Sequence, residues 1–401
     1  MSGVHQFVPM LHRGDAVGQH TMGLRDLLVE RGIASEIYVE LEDTETVGQT
    51  RLWDSYRREA RPGDVLVYQF ATASDMARRL AERPERLVVN YHNVTPPPLF
   101  ATWDNELARH QVQAHVELAA LAGRAALGVA VSEMNRSDLV ETGFAATAVM
   151  PPIANLSLRA AGVRTGGVEP PRGGRVQGAG ARWLSVGRLA PNKAVEDTIA
   201  ALLAYRAVYD PEAQLVVVGK PAVESYARAL SRYAADLGLA DAVRFAGKIS
   251  DEALETAYQH ADVLVVTSKH EGFCLPVVEA MAHDVPVVAV GEGALPEVLG
   301  DAGVLVEGRD PLGLASAVHR VQTDAGWRAH LVASGQNRLP ALGLAEAGPR
   351  LVELLSAVLE RSEWPAGVQL RPIEADEGDA MPGVADPVAQ APMAWLISST
   401  K

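Results

Sequence analysis

Short apolar runs alternate with longer stretches whose apolar positions recur at helical spacing, from near the first residue to about residue 360. A run such as Leu215–Val218 is apolar at odd and even positions alike, as in a strand covered on both faces. Strands of that kind, separated by helix-length segments, predict an α/β architecture with parallel sheets between layers of helices. In the first half the pattern predicts strands at His5–Pro9, Ile33–Val39, Val65–Tyr68, Leu87–Tyr91 and Leu127–Val131, with helices over Gln19–Arg31, Asp104–Ala122 and Glu133–Glu141. The region 160–181 is rich in Gly, Pro and Arg and poor in large apolar groups, so it reads as a linker. Beyond it, strands are predicted at Arg182–Val186, Gln214–Val218, Val243–Ala246, Val263–Thr267, Val285–Val290 and Val304–Val306, with a last amphipathic helix over Ala345–Arg361. The expected division is an N-terminal domain (1–160), a linker (161–181), a C-terminal domain (182–343), a final helix (344–362) and an acidic Pro/Ala-rich tail (363–401). Much of that tail is expected to lack order, with Met393–Ile397 apolar enough to dock locally.

Length agrees with this division, since 401 residues exceed one ordinary core. The formal charge of −14 argues against nucleic acid, whose binding needs concentrated positive charge. Peripheral membrane contact remains open through a basic stretch, Arg78 to Arg86, although a solvated helix face explains that stretch more simply. No apolar run approaches the length of a membrane span, and a cytoplasmic protein is expected. A single cysteine and the lack of any Cys/His cluster at zinc spacing leave neither disulfide nor zinc as a staple.

Doubly wound sheets bind ligands outside the C-terminal ends of their strands, so the chemistry is expected between the two domains. The segment His270 to Val290 is the richest candidate. Pro276 suits the first position of a helix, which places Glu271 in the preceding loop, Glu279 in the first turns, and the free amides of Phe273, Cys274 and Leu275 at the helix start. Such a site could hold a phosphate on the amides, sugar hydroxyls on one acid and a ribose on the other. Val186 to Asp197 carries Arg188 and Lys193 on a loop leaving a strand, and two cations there could neutralise a diphosphate without a metal ion. No D-x-D motif appears, and no metal or separate cofactor is expected. In the first half, Gly14, Asp15 and Gly18 form a tight loop before a helix, without the G-x-G-x-x-G spacing of a dinucleotide enzyme. His92 ends a strand before a Pro-rich loop, and Ser132 reads as a helix N-cap.

HEGFCLPVVEAMA, from His270 to Ala282, resembles the EGFGLPxLEAMA signature of the retaining glycosyltransferases of family four. VGRLAPNKAVED resembles that family's GRLxPxKG element, and GDAVG, YHNVTP, LVVVGK, RFAGKIS and GALPEVLG resemble further elements in the family's order. Cys274 and Ala194 both stand where the family's motifs have glycine. The resemblance implies a GT-B fold of two Rossmann-like domains facing across a cleft, with the final helix crossing back to the N-terminal domain. It implies a hexosyltransferase acting on a nucleoside diphosphate sugar, with Glu271 on the donor hydroxyls, Arg188 and Lys193 on the diphosphate and Glu279 on the ribose. Backbone near Lys248 and Ile249 would meet the nucleobase, the Gly14–Gly18 loop would lie against the donor, and His92, with Asn93 behind it, would touch the donor sugar. In such enzymes the leaving phosphate is thought to assist the acceptor hydroxyl on the same face. A sugar, a lipid-linked glycan or a small molecule could be the acceptor, in bacterial glycan or glycoconjugate biosynthesis. The rival expectations are a GT-B nucleotide-sugar epimerase or hydrolase, and a nucleotide-sugar-binding protein without catalysis.

Overall fold

The computed structural model describes residues 2–13, 15–153, 180–361 and 363–370, and both expected doubly wound sheets are present. The N-terminal lobe runs β1 (Val4–Val8), α1 (Ala16–Glu30), β2 (Ile37–Val39), β3 (Arg51–Leu52), α2 (Trp53–Glu59), β4 (Val65–Phe70), α3 (Asp75–Ala81), β5 (Arg86–Tyr91), α4 (Pro98–Ala101), α5 (Asn105–Ala122), β6 (Ala125–Ala130), α6 (Glu133–Thr142) and β7 (Ala146–Val149). The C-terminal lobe runs β8 (Arg182–Val186), α7 (Val195–Val208), β9 (Gln214–Val218), α8 (Glu224–Asp236), β10 (Val243–Gly247), α9 (Asp251–His260), β11 (Val263–Val266), α10 (Leu275–Ala282), β12 (Val287–Val290), α11 (Leu295–Leu299), β13 (Val304–Val306), α12 (Pro311–Thr323) and α13 (Ala325–Ala341). Two last elements, α14 (Leu344–Glu360) and β14 (Val368–Leu370), follow.

The N-terminal sheet has eight strands in the order β14-β7-β6-β5-β4-β1-β2-β3, parallel except for β14. The C-terminal sheet has six, in the order β10-β9-β8-β11-β12-β13, all parallel. Strand order therefore reverses between β1 and β4 in one lobe and between β8 and β11 in the other. Ligand crevices open at such reversals, so topology brings the loops after β1, β8 and β11 to the candidate site. The central strands are buried throughout: every residue of β4, β11 and β12 is inside, as helices on both faces require.

Observed bounds match the predicted ones for β8, β9 and β13. The strand predicted over Ile33–Val39 is shorter, because Gly32, at φ 75°, ends α1 and the next residues only carry the chain back to β2. The short segment Ala146–Val149, which the pattern does not single out, is a strand because β6 and β14 flank it. Residues 368–370 belong to the region expected to lack order, yet they pair antiparallel with β7, Val368 opposite Ala148 and Leu370 opposite Ala146. An edge strand's open backbone groups supply the reason. Residues 154–179, most of the expected linker, and 371–401, including Met393–Ile397, lie outside the described residues.

Helix α14 is packed in the N-terminal core. Leu351, Leu354, Leu355 and Val358 share a cluster with Val4, Leu24, Leu28 and Leu127; burying each such side chain contributes about 1.5–3 kcal/mol. The Arg86 guanidinium donates to the carbonyls of Val358 and Leu359, covering acceptors that a helix end leaves open. The lobes also touch directly. Phe100 and Ala108 lie in the C-terminal core cluster with Leu189 and Ala190, and the Glu297 carboxylate accepts from the backbone N–H of Glu133 at 2.9 and 3.0 Å, capping α6 from the opposite lobe. The Arg78–Arg86 stretch is a solvated helix face only in its first part: Arg78 pairs with Glu82 at the end of α3, whereas Arg83 pairs with the buried Glu85 and Arg86 begins β5. No helix among the described residues is long and apolar enough to cross a membrane.

Candidate active site

The loops after β8 and β11 meet at the C-terminal lobe's reversal point. Lys193 Nζ donates to Glu271 Oε1 at 2.6 Å, and Ser268 Oγ donates to the same oxygen at 2.6 Å. Their side chains are only 20% and 8% exposed, so a cation and an anion are held together in poorly hydrated surroundings. The loop itself is pinned: Lys269 N–H donates to Asn192 O at 2.7 Å, and Thr267 Oγ1 donates to Ala194 O at 2.8 Å. Arg309 completes the frame, donating to the carbonyls of Thr267 (2.6 Å) and Ser268 (3.0 Å) while pairing with Asp197 (2.7 Å) and Glu292 (3.0 Å). Neither Ser268 nor Arg309 stood out in the sequence. Arg188, on the same β8 loop, is exposed and has no ion pair among the described residues.

Leu275, not Pro276, is the first residue of α10, because Cys274 occupies the N-cap position at φ 75° and ψ 68°. Proline remains compatible at the second position, where its missing N–H has no helical acceptor. The amides of Phe273, Cys274 and Leu275 donate to nothing among the described residues. Left-handed backbone accounts for the glycines of the resembling motifs and makes both departures strained: Cys274 and Ala194 (φ 47°) sit where only glycine would be unstrained. Each non-glycine there costs about 1–2 kcal/mol. Burial, and then the neighbouring Glu271 carboxylate, push the Cys274 thiol well above its ordinary range, which keeps it unreactive. Glu279 lies on α10, its Oε2 accepting from Tyr258 Oη at 2.8 Å.

Across the cleft, Gly14 lies outside the described residues. Asp15 is the N-cap of α1 and accepts from Gly18 N–H at 2.7 Å. A side chain at Gly18 would fall 1.7 Å from the carbonyl oxygen of His12, so this glycine is required by packing within the lobe. Ser132 caps α6, accepting from Asn135 N–H at 3.2 Å. At the end of β5, Asn93 adopts φ 88° and its Oδ1 accepts from His270 Nε2 at 2.9 Å, a bond that joins the lobes one residue from Glu271.

His92 heads a buried polar chain. Gln6 Nε2 donates to the Thr21 carbonyl at 2.8 Å, Gln69 Nε2 donates to Gln6 Oε1 at 2.8 Å, and Gln69 Oε1 lies 2.7 Å from His92 Nε2. A carbonyl can only accept, which fixes both glutamine amides in turn and puts the proton of His92 on Nε2. Its Nδ1 is then the acceptor. Burial lowers the His92 pKa from 6.5 to about 4, and lowers that of the neighbouring His20 as well, so His92 is a neutral imidazole at pH 7.

Lys248 and Ile249 line a cavity of about 890 Å³ between the lobes, opposite Arg13, Gln19 and Glu45, and Lys248 pairs with Glu45 at 3.4 Å. Lys193 and Ser268 border only a pocket of about 10 Å³ at the ends of β8 and β11. The structure thus brings Lys193, Glu271, His270 and Asn93 together, with Lys248 and Ile249 in a separate, roomier part of the interlobe space.

Residues 180–324, which carry every C-terminal candidate from Arg188 to Glu279, match the family described as Glycosyl transferases group 1. That part of the C-terminal lobe is similar to a group 1 glycosyltransferase domain. The D-inositol 3-phosphate glycosyltransferase of Geodermatophilus obscurus is 39% identical over 162 residues, 39% of this chain and 35% of its own length. That of Thermomonospora curvata is 35% identical over 179 residues, 43% of this chain and 41% of its own. The match therefore spans well under half of these curated relatives. Sucrose-phosphate synthase from Thermosynechococcus elongatus superposes with a TM-score of 0.69 at 19% identity, over 90% of this chain and all of its own. Anabaena HepE in complex with UDP-glucose gives 0.68 at 17% identity, over 89% of this chain and 100% of its own. At such identities the likeness is one of fold, and the two lobes together have the GT-B fold.

Proposed function

We propose that this chain is a retaining, metal-independent glycosyltransferase that moves a hexose from a nucleoside diphosphate sugar to an acceptor hydroxyl in bacterial glycan or glycoconjugate biosynthesis. The observation that carries the reading is the Lys193–Glu271 pair at the strand reversal of the group 1 domain, 2.6 Å apart and shielded from water. Lys193, the exposed Arg188 and the amides of Phe273, Cys274 and Leu275 take the diphosphate, and charge growing there as the bond breaks is where preorganised donors act most strongly. Glu271, held by Lys193 and Ser268, accepts from hexose hydroxyls, and Glu279, steadied by Tyr258, accepts from the ribose. Main chain at Lys248 and Ile249 meets the base in the interlobe cavity, and the loop at Asp15 and Gly18 borders the donor from the other lobe. His92 offers Nδ1 to a sugar hydroxyl as a neutral acceptor.

In the reaction, the acceptor oxygen bonds to the anomeric carbon on the face from which the diphosphate departs. Its proton passes to the leaving phosphate oxygen. A carboxylate clamped by an ammonium and a hydroxyl on one oxygen is a poor nucleophile, which favours this course over a covalent glycosyl-enzyme. The test is product analysis by NMR after incubation with UDP-, GDP- and ADP-hexoses and a panel of sugar and lipid-linked acceptors. Transfer with an unchanged anomeric configuration supports the reading. Acceptor-independent epimerisation or hydrolysis would replace it with the first rival, and binding without turnover with the second.

A further inference from the structure

We propose that Asn135 is a sugar-contacting residue of the N-terminal lobe, whose carboxamide reads a pair of hydroxyls on the transferred hexose. The assignment rests on the nucleotide-sugar reading above. Asn135 is 0% exposed, yet neither its Nδ2 nor its Oδ1 has a hydrogen-bond partner among the described residues. Buried amides are nearly always paired, so one with both ends open marks a place where the partner comes from outside the chain. Its position is well defined: it stands in the first turn of α6, where its own N–H is tied to the Ser132 hydroxyl.

The amide also lies beside the proposed sugar site. A Cβ built on Gly272 would meet Asn135 Nδ2 at 3.1 Å and Asn93 Cβ at 2.6 Å, so the two asparagines flank the residue that follows Glu271. A side chain at Gly272 would thus push the lobes apart here, and the close approach sets Asn135 and Asn93 of one lobe against the residue next to Glu271 of the other.

The chemistry selects among ligands. A carboxamide presents two donor hydrogens and an acceptor oxygen, and two neighbouring sugar hydroxyls can satisfy both ends, one donating to Oδ1 and one accepting from Nδ2. A phosphate oxygen would serve Nδ2 and leave Oδ1 facing an anion. The hexose is therefore gripped from both lobes, by Glu271 from one and Asn135 from the other, and because Asn135 is fully covered where the lobes touch, the sugar reaches it only as they part around Gly272.

The experiment compares wild type, Asn135→Leu and Asn135→Ala by isothermal calorimetry with UDP, GDP and ADP against UDP-glucose, GDP-mannose and ADP-glucose, together with the ligand-free Tm. The expected result is unchanged affinity for the free diphosphate, a loss of about tenfold in affinity for the sugar conjugate, as one or two neutral hydrogen bonds would give, and a Tm for Asn135→Leu at or above that of wild type. Unaltered affinity for the conjugate would overturn the assignment. So would an equal loss for conjugate and free diphosphate, or a lower Tm with both affinities intact, since each makes the amide structural. Wild type that binds none of the six ligands removes the underlying function, and is told apart from those outcomes because no variant is needed to see it.

Discussion

Replacing Glu271 by alanine should cost folding stability as well as turnover. The change strips the Lys193 ammonium, only 20% exposed, of a carboxylate 2.6 Å away, and leaves Ser268 without its acceptor. Removing one member of a buried pair costs about 3–5 kcal/mol, and the partial exposure of Lys193 sets the expectation at the lower end, about 3 kcal/mol. For a unit of this size that lowers Tm by about 6–12 °C. Glu271→Gln keeps an oxygen to accept from both Lys193 and Ser268, so it should lose only about 1 kcal/mol while still abolishing most transfer. Pairing Glu271→Ala with Lys193→Met removes the stranded charge, and the double variant should recover part of the loss, the sign of a coupled pair. Differential scanning calorimetry of the five proteins, with Lys193→Met alone completing the cycle, decides it. An unshifted Tm for Glu271→Ala, or a strictly additive double variant, would refute the buried-pair reasoning.

Three further outcomes follow from the geometry. Because the His92 pKa is about 4 in the folded protein and near 6.5 in an unfolded chain, the unfolded state takes up the proton first as pH falls, so stability is full above pH 6.5 and declines toward pH 4. The difference reaches about 2 kcal/mol at pH 5; urea midpoints at pH 7 and pH 5 should separate wild type from His92→Gln, and parallel pH dependences would contradict it. Arg309→Ala should destabilise by about 3 kcal/mol and speed amide hydrogen exchange across Thr267–Glu271, because two carboxylates and two carbonyls lose their donor. Cys274 should resist a disulfide reagent at pH 8 until the protein is unfolded, and rapid labelling of the native state would show that the thiol is neither buried nor raised.

The parts of the fold visible in the sequence were those whose burial is two-sided. Gln214–Val218 and Arg182–Val186 have few other solutions than a covered strand, and they form with those bounds. Ala146–Val149 was not visible, because four small or short side chains carry little pattern of their own and their strand pairing comes from β6 and from β14, more than 200 residues further on. The site was legible as motifs and not as contacts. Lys193 and Glu271 each pointed to a ligand, whereas their bond to one another follows from β8 and β11 being neighbours in the sheet, although β9 and β10 lie between them in sequence. Cys274 and Ala194 are instructive in the opposite sense: glycine in a resembling motif already signals left-handed backbone, and both positions show it. Asn135 carried no signal, since an asparagine early in a helix is ordinarily a surface residue.

The claim on which the rest depends is that the β8 and β11 loops form one diphosphate site. Its most direct test is calorimetric titration of wild type and of Arg188→Ala/Lys193→Ala with UDP, GDP and ADP at low ionic strength. The account predicts binding of one of the three by wild type and a loss of at least about a hundredfold in the double variant, as expected for removing two charge-assisted contacts. Equal affinity in the two proteins would contradict it.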